Sequence, residues 1–319
     1  MAERENLPAV IAAQVVAVLS EQRSSLVARG LAAVQSSKQP GLTKNNVVIS
    51  VKEQFNLGLK YFHGESASQD YEEAVKWFQL AADQGYADAQ CLLGFMYHNG
   101  IGVLKDHEAA MKWNRLAAEQ GEAIAQYSLG RSYSEGESVP QDYEEAMKWF
   151  QLAADQGYAR AQASLGVMYS EGEGVPQDYE EAEKWYRLAA EQGDVSTQYL
   201  LGVMYSDGEG VLQDYEEAVK WLHLAAKQGN AGAQANLGLK YFHGEGVPHD
   251  YEEAVKWFQL AADHGNADAQ FALGVMYHHG VGVPIKNHEE AVRWYRLAAE
   301  QGLAGAQKEL KKFGLDWKK

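Results

Sequence analysis

Residues 159 to 194 read ARAQASLGVMYSEGEGVPQDYEEAEKWYRLAAEQGD, and the same line returns before and after them with changes at a minority of places. Its tryptophan is the clearest register mark: Trp77, Trp113, Trp149, Trp185, Trp221, Trp257 and Trp294 stand at five intervals of 36 residues and one of 37. Self-similarity at this period marks a solenoid, in which a unit cannot bury its own apolar face and stacks on its neighbours.

Counted from Val51, Ala87, Ala123, Ala159, Val195, Ala231 and Ala267, each unit divides into two helices and two glycine breaks. In the first helix, Leu93, Gly94 and Tyr97 typify the seventh, eighth and eleventh places, with Leu and Tyr on one face and Gly admitting a neighbouring helix. Paired glycines such as Gly172 and Gly174 end it. The second helix opens on Asp70, Asp106, Asp142, Asp178, Asp214, Asp250 or Asn287, with Glu (Ala109 in the second unit) three residues on, the pattern of a capping box. Ala74, Trp77 and Ala81, widened by Leu80 and Ala82, form its inward stripe, and the indole is the largest group that stripe offers to the core. Gly85 and its counterparts close the unit. Ser66 and Ser138 in place of the second loop glycine, Ala67 in place of Val, and one extra residue near Ile285 and Lys286 predict local loop changes.

The line A-x-x-x-L-G-x-x-Y-x-x-G-x-G-V-x-x-D, then A-x-x-W-x-x-x-A-A-x-x-G, resembles the Sel1-like repeat, a relative of the tetratricopeptide repeat, over residues 51 to about 303. The resemblance implies an all-α, right-handed superhelical solenoid of about seven 36-residue units, and a role as adaptor or scaffold for other proteins. A cysteine-rich branch of that family, with a cysteine pair in every unit, is linked to penicillin binding and β-lactamase activity. This chain has only Cys91, so that activity does not carry over.

The expected division is a non-repeat amino-terminal helical segment and linker (1–50), seven units (51–303) and a capping helix (304–319), in which Lys308, Lys311 and Lys312 replace apolar or glycine places. Leu7, Val10, Ile11, Val15, Val18 and Leu19 recur at helical steps, so residues 1–40 read as a cap on the first unit or a surface for self-association. No segment has the charge pattern of a signal peptide or the length of a membrane span. A lone cysteine permits a reducing compartment, and the reading is cytoplasmic, with secreted or periplasmic placement left open. The formal net charge of −16 argues against nucleic acid and anionic membranes, since phosphate binding draws on Lys and Arg.

Function is sought where the units differ. The second, fifth, ninth, twelfth and thirteenth places of the first helix share a face opposite Leu and Tyr, which in tetratricopeptide relatives lines the concave groove. The partner-binding candidates on that face are Phe62, His63, Phe95, Asn99, Tyr127, Arg131, Glu135, Tyr199, Asp207, Phe242, His243 and His278. Their rim runs from histidine and aromatic at both ends to acidic in the middle, which suits a protein or peptide segment with basic residues. Units one and two resemble six and seven, as in NLGLKYFHGE at 56–65 and 236–245.

No catalytic residues, cofactor or metal site are expected. His278, His279 and His243 lack a ligand spacing, the G-x-G loops lack the Lys and Ser/Thr of a phosphate loop, and every acidic pair reads as a cap. The leading reading is therefore a non-catalytic adaptor, with a self-assembling scaffold second and a hydrolase third.

Overall fold

The computed structural model describes residues 43–44, 47–64 and 69–316. Its helices are α1 Val51–His63, α2 Tyr71–Asp83, α3 Ala87–Asn99, α4 His107–Glu119, α5 Ala123–Glu135, α6 Tyr143–Asp155, α7 Ala159–Glu171, α8 Tyr179–Glu191, α9 Val195–Asp207, α10 Tyr215–Lys227, α11 Ala231–His243, α12 Tyr251–Asp263, α13 Ala267–His279, α14 His288–Glu300 and α15 Ala304–Lys312. Odd-numbered helices open a repeat, even-numbered ones complete it, and α15 starts where an eighth repeat would. Ahead of α1, β1 Thr43–Lys44 and β2 Val47–Val48 pair antiparallel, Thr43 opposite Val48, a short ladder that the helical reading passes over. The expected amino-terminal helix, the linker, Ser66, Ala67 and Trp317 lie outside the described residues.

The chain divides between Ala161 and Gln162 into two compact halves. In the first, one continuous core joins Phe78, Leu92, Leu93, Met96, Trp113 and Leu129. In the second, successive clusters each draw on two neighbouring repeats, as Tyr186 with Leu201 and Trp221, or Phe258 with Leu273 and Trp294. Such nearest-neighbour burial is how a stack of helix pairs grows a core along one direction.

The tryptophans contribute less than their regularity suggests. Trp77, Trp113, Trp221 and Trp294 are buried, but Trp149, Trp185 and Trp257 are half-buried. The more enclosed side chain is the next one, Phe78, Phe150, Tyr186, Leu222, Phe258 or Tyr295, with Asn114 the polar exception. It lies on the glycine of the first helix: a Cβ on Gly58, Gly130, Gly238 or Gly274 would stand 2.5 Å from the ring of Phe78, Phe150, Phe258 or Tyr295. Glycine at the eighth place is therefore a seat for the facing side chain, an aromatic ring in five repeats and Asn114 or Leu222 in the other two. The leucine expected to widen the stripe faces outward instead, with Leu116, Leu152, Leu188, Leu224 and Leu260 36–47 % exposed.

Caps and turns repeat with the sequence. Asp70 accepts from the Glu73 amide at 2.9 Å, and the equivalent bond recurs at each Asp cap and at Asn287. The reciprocal half of the expected capping box does not form there. The cap amide already donates to a first-helix tyrosine carbonyl, as Asp70 to Tyr61 at 3.0 Å and Asp142 to Tyr133 at 2.9 Å. The glutamate is thereby freed to take Lys one turn on, Glu73–Lys76 at 2.9 Å, or the indole N–H, Trp149 to Glu145 and Trp221 to Glu217 at 3.1 Å. A complete capping box stands at Ser50 and Glu53, ahead of α1. Second helices close with Gly85 and its equivalents at positive φ, the Tyr86 amide reaching the Ala81 carbonyl and the Gly85 amide that of Ala82, a Schellman closure.

A buried amide ladder runs through the fourth place, a glutamine to which the sequence reading assigns no role. Gln54, Gln90, Gln126, Gln162, Gln198 and Gln270 each accept from a glutamine at the end of their own repeat, at 2.7–2.9 Å. Gln90, Gln126, Gln198, Gln234 and Gln270 donate at 2.9–3.2 Å to an alanine carbonyl of the preceding repeat. In the sixth repeat His264 replaces the partner glutamine, with Nδ1 3.0 Å from Gln234 Oε1. Because the Gln234 amide nitrogen is committed to Ala226, that contact requires the His264 proton on Nδ1. Buried amides satisfied at both ends hold neighbouring repeats in register.

Candidate functional site

The variable places of the first helix are not one solvent-facing stripe. The fifth place turns inward: Phe55 and Cys91 are buried, and Tyr127 packs between Phe150 and Tyr158, with ring centroids 5.7 and 5.3 Å away. Burial pushes the Cys91 thiol well above its ordinary range, so it is a small core hydrophobe. At the twelfth place Phe62 is 2 % exposed, edge-on to Tyr71, and belongs to the core, where no partner can touch it. Phe95 is half-buried against the same core. The thirteenth place is open throughout, at His63, Asn99, Glu135, Asp207 and His243, with the Asn99 amide turned back onto the Phe95 carbonyl at 2.8 Å. Arg131 forks onto Glu135 with both guanidinium bonds within 3.0 Å, and this pairing raises its pKa further. The fork neutralises the one cation at the ninth place.

In the second half the structure gathers three candidates, Tyr199, Phe242 and His243, into a groove of about 510 Å³. Its walls are Ala235, Asn236 and Leu239 of α11 and Phe271, Ala272, Val275 and Met276 of α13, with Phe258 at its base and Asn266 and Asp268 beside them. Gly232 explains how Tyr199 reaches across: any Cβ there would stand 3.1 Å from the ring. Leu239 stays 43 % exposed and Asp268 presents an exposed carboxylate, so the groove offers an apolar floor with one negative group.

The first half brings together a second constellation, which sequence spacing missed because its members come from three segments. His98 lies in the last turn of α3, His107 opens α4, and Glu137 lies in the loop after α5. Nδ1 of His107 is 3.2 Å from Glu137 Oε1, and Nδ1 of His98 is 3.8 Å from Oε2. Burial holds the His98 pKa below its usual value; Glu137 partly offsets this, while His107, Arg131 and Lys105 act with burial. Glu137 is placed by a clamped loop: its amide reaches the Ser132 carbonyl at 3.0 Å, and Asp142 reaches that of Tyr133 at 2.9 Å. Within this clamp Ser138 keeps φ at 68°, the value glycine takes at this place (Gly102, 68°; Gly246, 71°). At Ser138 the predicted loop change is thus absent, and the serine takes the strained conformation instead.

His278, the last candidate, makes a third grouping. It stands edge-on to His279, His288 and Phe313, at 4.6, 4.9 and 5.1 Å between centroids. Burial and then the neighbouring imidazoles keep its pKa low.

The described residues contain no helix long and apolar enough to cross a membrane. Comparison with curated proteins gives no match. Among solved structures, the chain is similar to a Sel1 repeat protein from Oxalobacter formigenes, with 39 % identity and a TM-score of 0.68, over 83 % of this chain and 77 % of that one. It is also similar to c5321, a protective antigen of uropathogenic Escherichia coli strains with an SLR fold, at 36 % identity and a TM-score of 0.67. That match covers 83 % of this chain but 64 % of the antigen, so the chain spans about two-thirds of that relative's length. The Sel1 repeat profile matches residues 54–86, 87–122, 123–158, 159–194, 195–230, 231–266 and 267–303. Sel1 repeat proteins are generally non-catalytic and generally mediate protein–protein interaction. Seven consecutive matches, on a described chain of paired helices, make this protein a member of the Sel1 repeat family.

Proposed function

We propose that this chain is a non-catalytic adaptor that holds a peptide segment of a partner protein in the groove formed by α9, α11 and α13. The observation that carries this reading is the groove itself. Leu239, Phe242, Phe271 and Val275 face a space large enough for one or two apolar side chains, beside polar groups at Asn236, His243 and Asp268. A few polar groups around an apolar floor give orientation and specificity, while the floor supplies most of the affinity. The exposed Asp268 carboxylate favours a segment with Lys or Arg next to its apolar anchor, in keeping with the formal charge of −16.

A display library of random peptides selected on the full chain tests this. Selected sequences should share an aromatic or aliphatic anchor flanked by a basic residue, and Leu239→Glu should weaken their binding by about 100-fold through a buried charge. Peptides that bind the Leu239→Glu protein as well as the parent would move the site off this groove.

A further inference from the structure

The cluster at His98, His107 and Glu137 has the composition and geometry of a cation site. One donor atom from each residue lies within 4.8 Å of the other two. Around a tetrahedral ion with bonds of about 2.0–2.2 Å, ligand atoms sit roughly 3.3–3.5 Å apart. The two His–Glu separations, 3.2 Å to Oε1 and 3.8 Å to Oε2, lie near that value, while the set of one atom per residue is wider, within 4.8 Å, so the two half-exposed imidazoles close on an ion by turning toward one carboxylate oxygen. Two imidazoles and a carboxylate suit a borderline divalent ion better than the hard, oxygen-seeking Ca2+ or Mg2+.

The rest of the chain shows that this trio is not forced by the repeat. Five other second helices open on tyrosine where α4 opens on His107, namely Tyr71, Tyr143, Tyr179, Tyr215 and Tyr251. The place of His98 is serine in three repeats, Ser134, Ser170 and Ser206. Glu recurs at the place of Glu137, as Glu173, Glu209 and Glu245, but there the preceding repeat offers tyrosine and no imidazole pair. Packing is therefore satisfied without these histidines, and the second repeat alone combines both with a carboxylate from its neighbour.

We propose that His98, His107 and Glu137 form an open three-ligand site for a divalent transition-metal ion of the zinc class, with the fourth position left to water. Lys105 and Arg131 oppose a cation at this point, but Arg131 is neutralised by its fork on Glu135. The site lies in the first half of the chain and does not depend on the groove reading.

The test uses the full, tag-free chain stripped of metal and titrated calorimetrically with Zn2+ alone, then with Co2+, whose visible spectrum reports coordination geometry. One ion per chain should bind, with a four-coordinate cobalt spectrum. His98→Ser and His107→Tyr restore residues that other repeats carry at these places and so keep the fold. Each should weaken binding by about 100-fold or more, as should Glu137→Gln. His278→Phe, altering the other histidine grouping, should leave affinity and stoichiometry unchanged. No Zn2+ binding by the parent chain, or equal binding by His98→Ser and His107→Tyr, would overturn the proposal.

Discussion

The second and seventh repeats carry the same histidine pair in different surroundings. His98 and His107 meet edge-on at 5.1 Å, and His278 and His288 at 4.9 Å, both pairs joining the end of a first helix to the start of its second. Above the first pair the next repeat places Glu137; above the second, the end of α15 places Phe313, 5.1 Å from His278 and 6.1 Å from His288. One pair has an anionic partner and an open side, and the other is closed by an aromatic ring. In a stacked array a repeat's chemistry is completed by its neighbour, so identical residues acquire different uses along the chain.

The largest expected effect probes the glycine seats of these two repeats. Gly274→Ala sets a methyl 2.5 Å from the Tyr295 ring and should cost about 2–3 kcal/mol, read by urea unfolding. Gly94→Ala brings its methyl even closer to the Asn114 amide, but that group is the end of a side chain that can turn aside where a packed ring cannot, so the cost should be less; equal losses would mean that the ring is not what the glycine accommodates.

Next comes the amide ladder. Gln90→Leu removes the bonds to the Ala82 carbonyl and from the Gln120 amide, and Gln270→Leu the equivalent bonds at Ala262 and Gln301; the carbonyls keep the Gly85 and Gly265 amides, so the cost is the lost bonds themselves, about 1 kcal/mol each. Hydrogen exchange should rise at the preceding second helix in each variant. Exchange confined to the mutated repeat would show that the ladder does not couple repeats.

The caps give a smaller pair. Asp106→Ala and Asn287→Ala should each cost about 1 kcal/mol in thermal unfolding. Glu290→Ala, which loses only the exposed Arg293 pair at 2.8 Å, should stay within about 0.5 kcal/mol; a loss as large as that of the cap would restore the reciprocal capping box.

The smallest effect is on pH. His278 has a lowered folded pKa, with burial, His279, His288 and Lys286 against its proton and Glu309 for it. As pH falls through about 6.5 the unfolded chain takes up the proton first, so stability is full above that range and declines below it. His278→Phe should flatten that decline, measured as melting temperature between neutral and mildly acidic pH. An unchanged slope would assign it to another group.

Much of the fold was legible because it is local and repeated. Glycine breaks and Asp caps act on their own helix ends, the tryptophan spacing sets the register between them, and together they located every described helix pair. The reading was weaker wherever the partner lay a full repeat away. Variation at the fifth and twelfth places looked like surface, yet Phe62 is core and Tyr127 is sandwiched between rings, since a helix in a stack has neighbours on more than one side. The residue after each tryptophan could have been recognised: it is apolar or aromatic in six repeats of seven, facing a glycine. Of the candidate binding residues, Tyr199, Phe242 and His243 share the groove, while Arg131 and Glu135 satisfy each other.

By itself the sequence determined the repeat, its period, the helix ends and the family, because each follows from short-range backbone preferences written seven times. Only the tertiary structure decided which variable places face a neighbour, that Tyr199 bends over Gly232 toward α11, and that Glu137 stands between two histidines 39 and 30 residues before it. Those outcomes depend on the rise and rotation from one repeat to the next, which the period of a sequence does not encode.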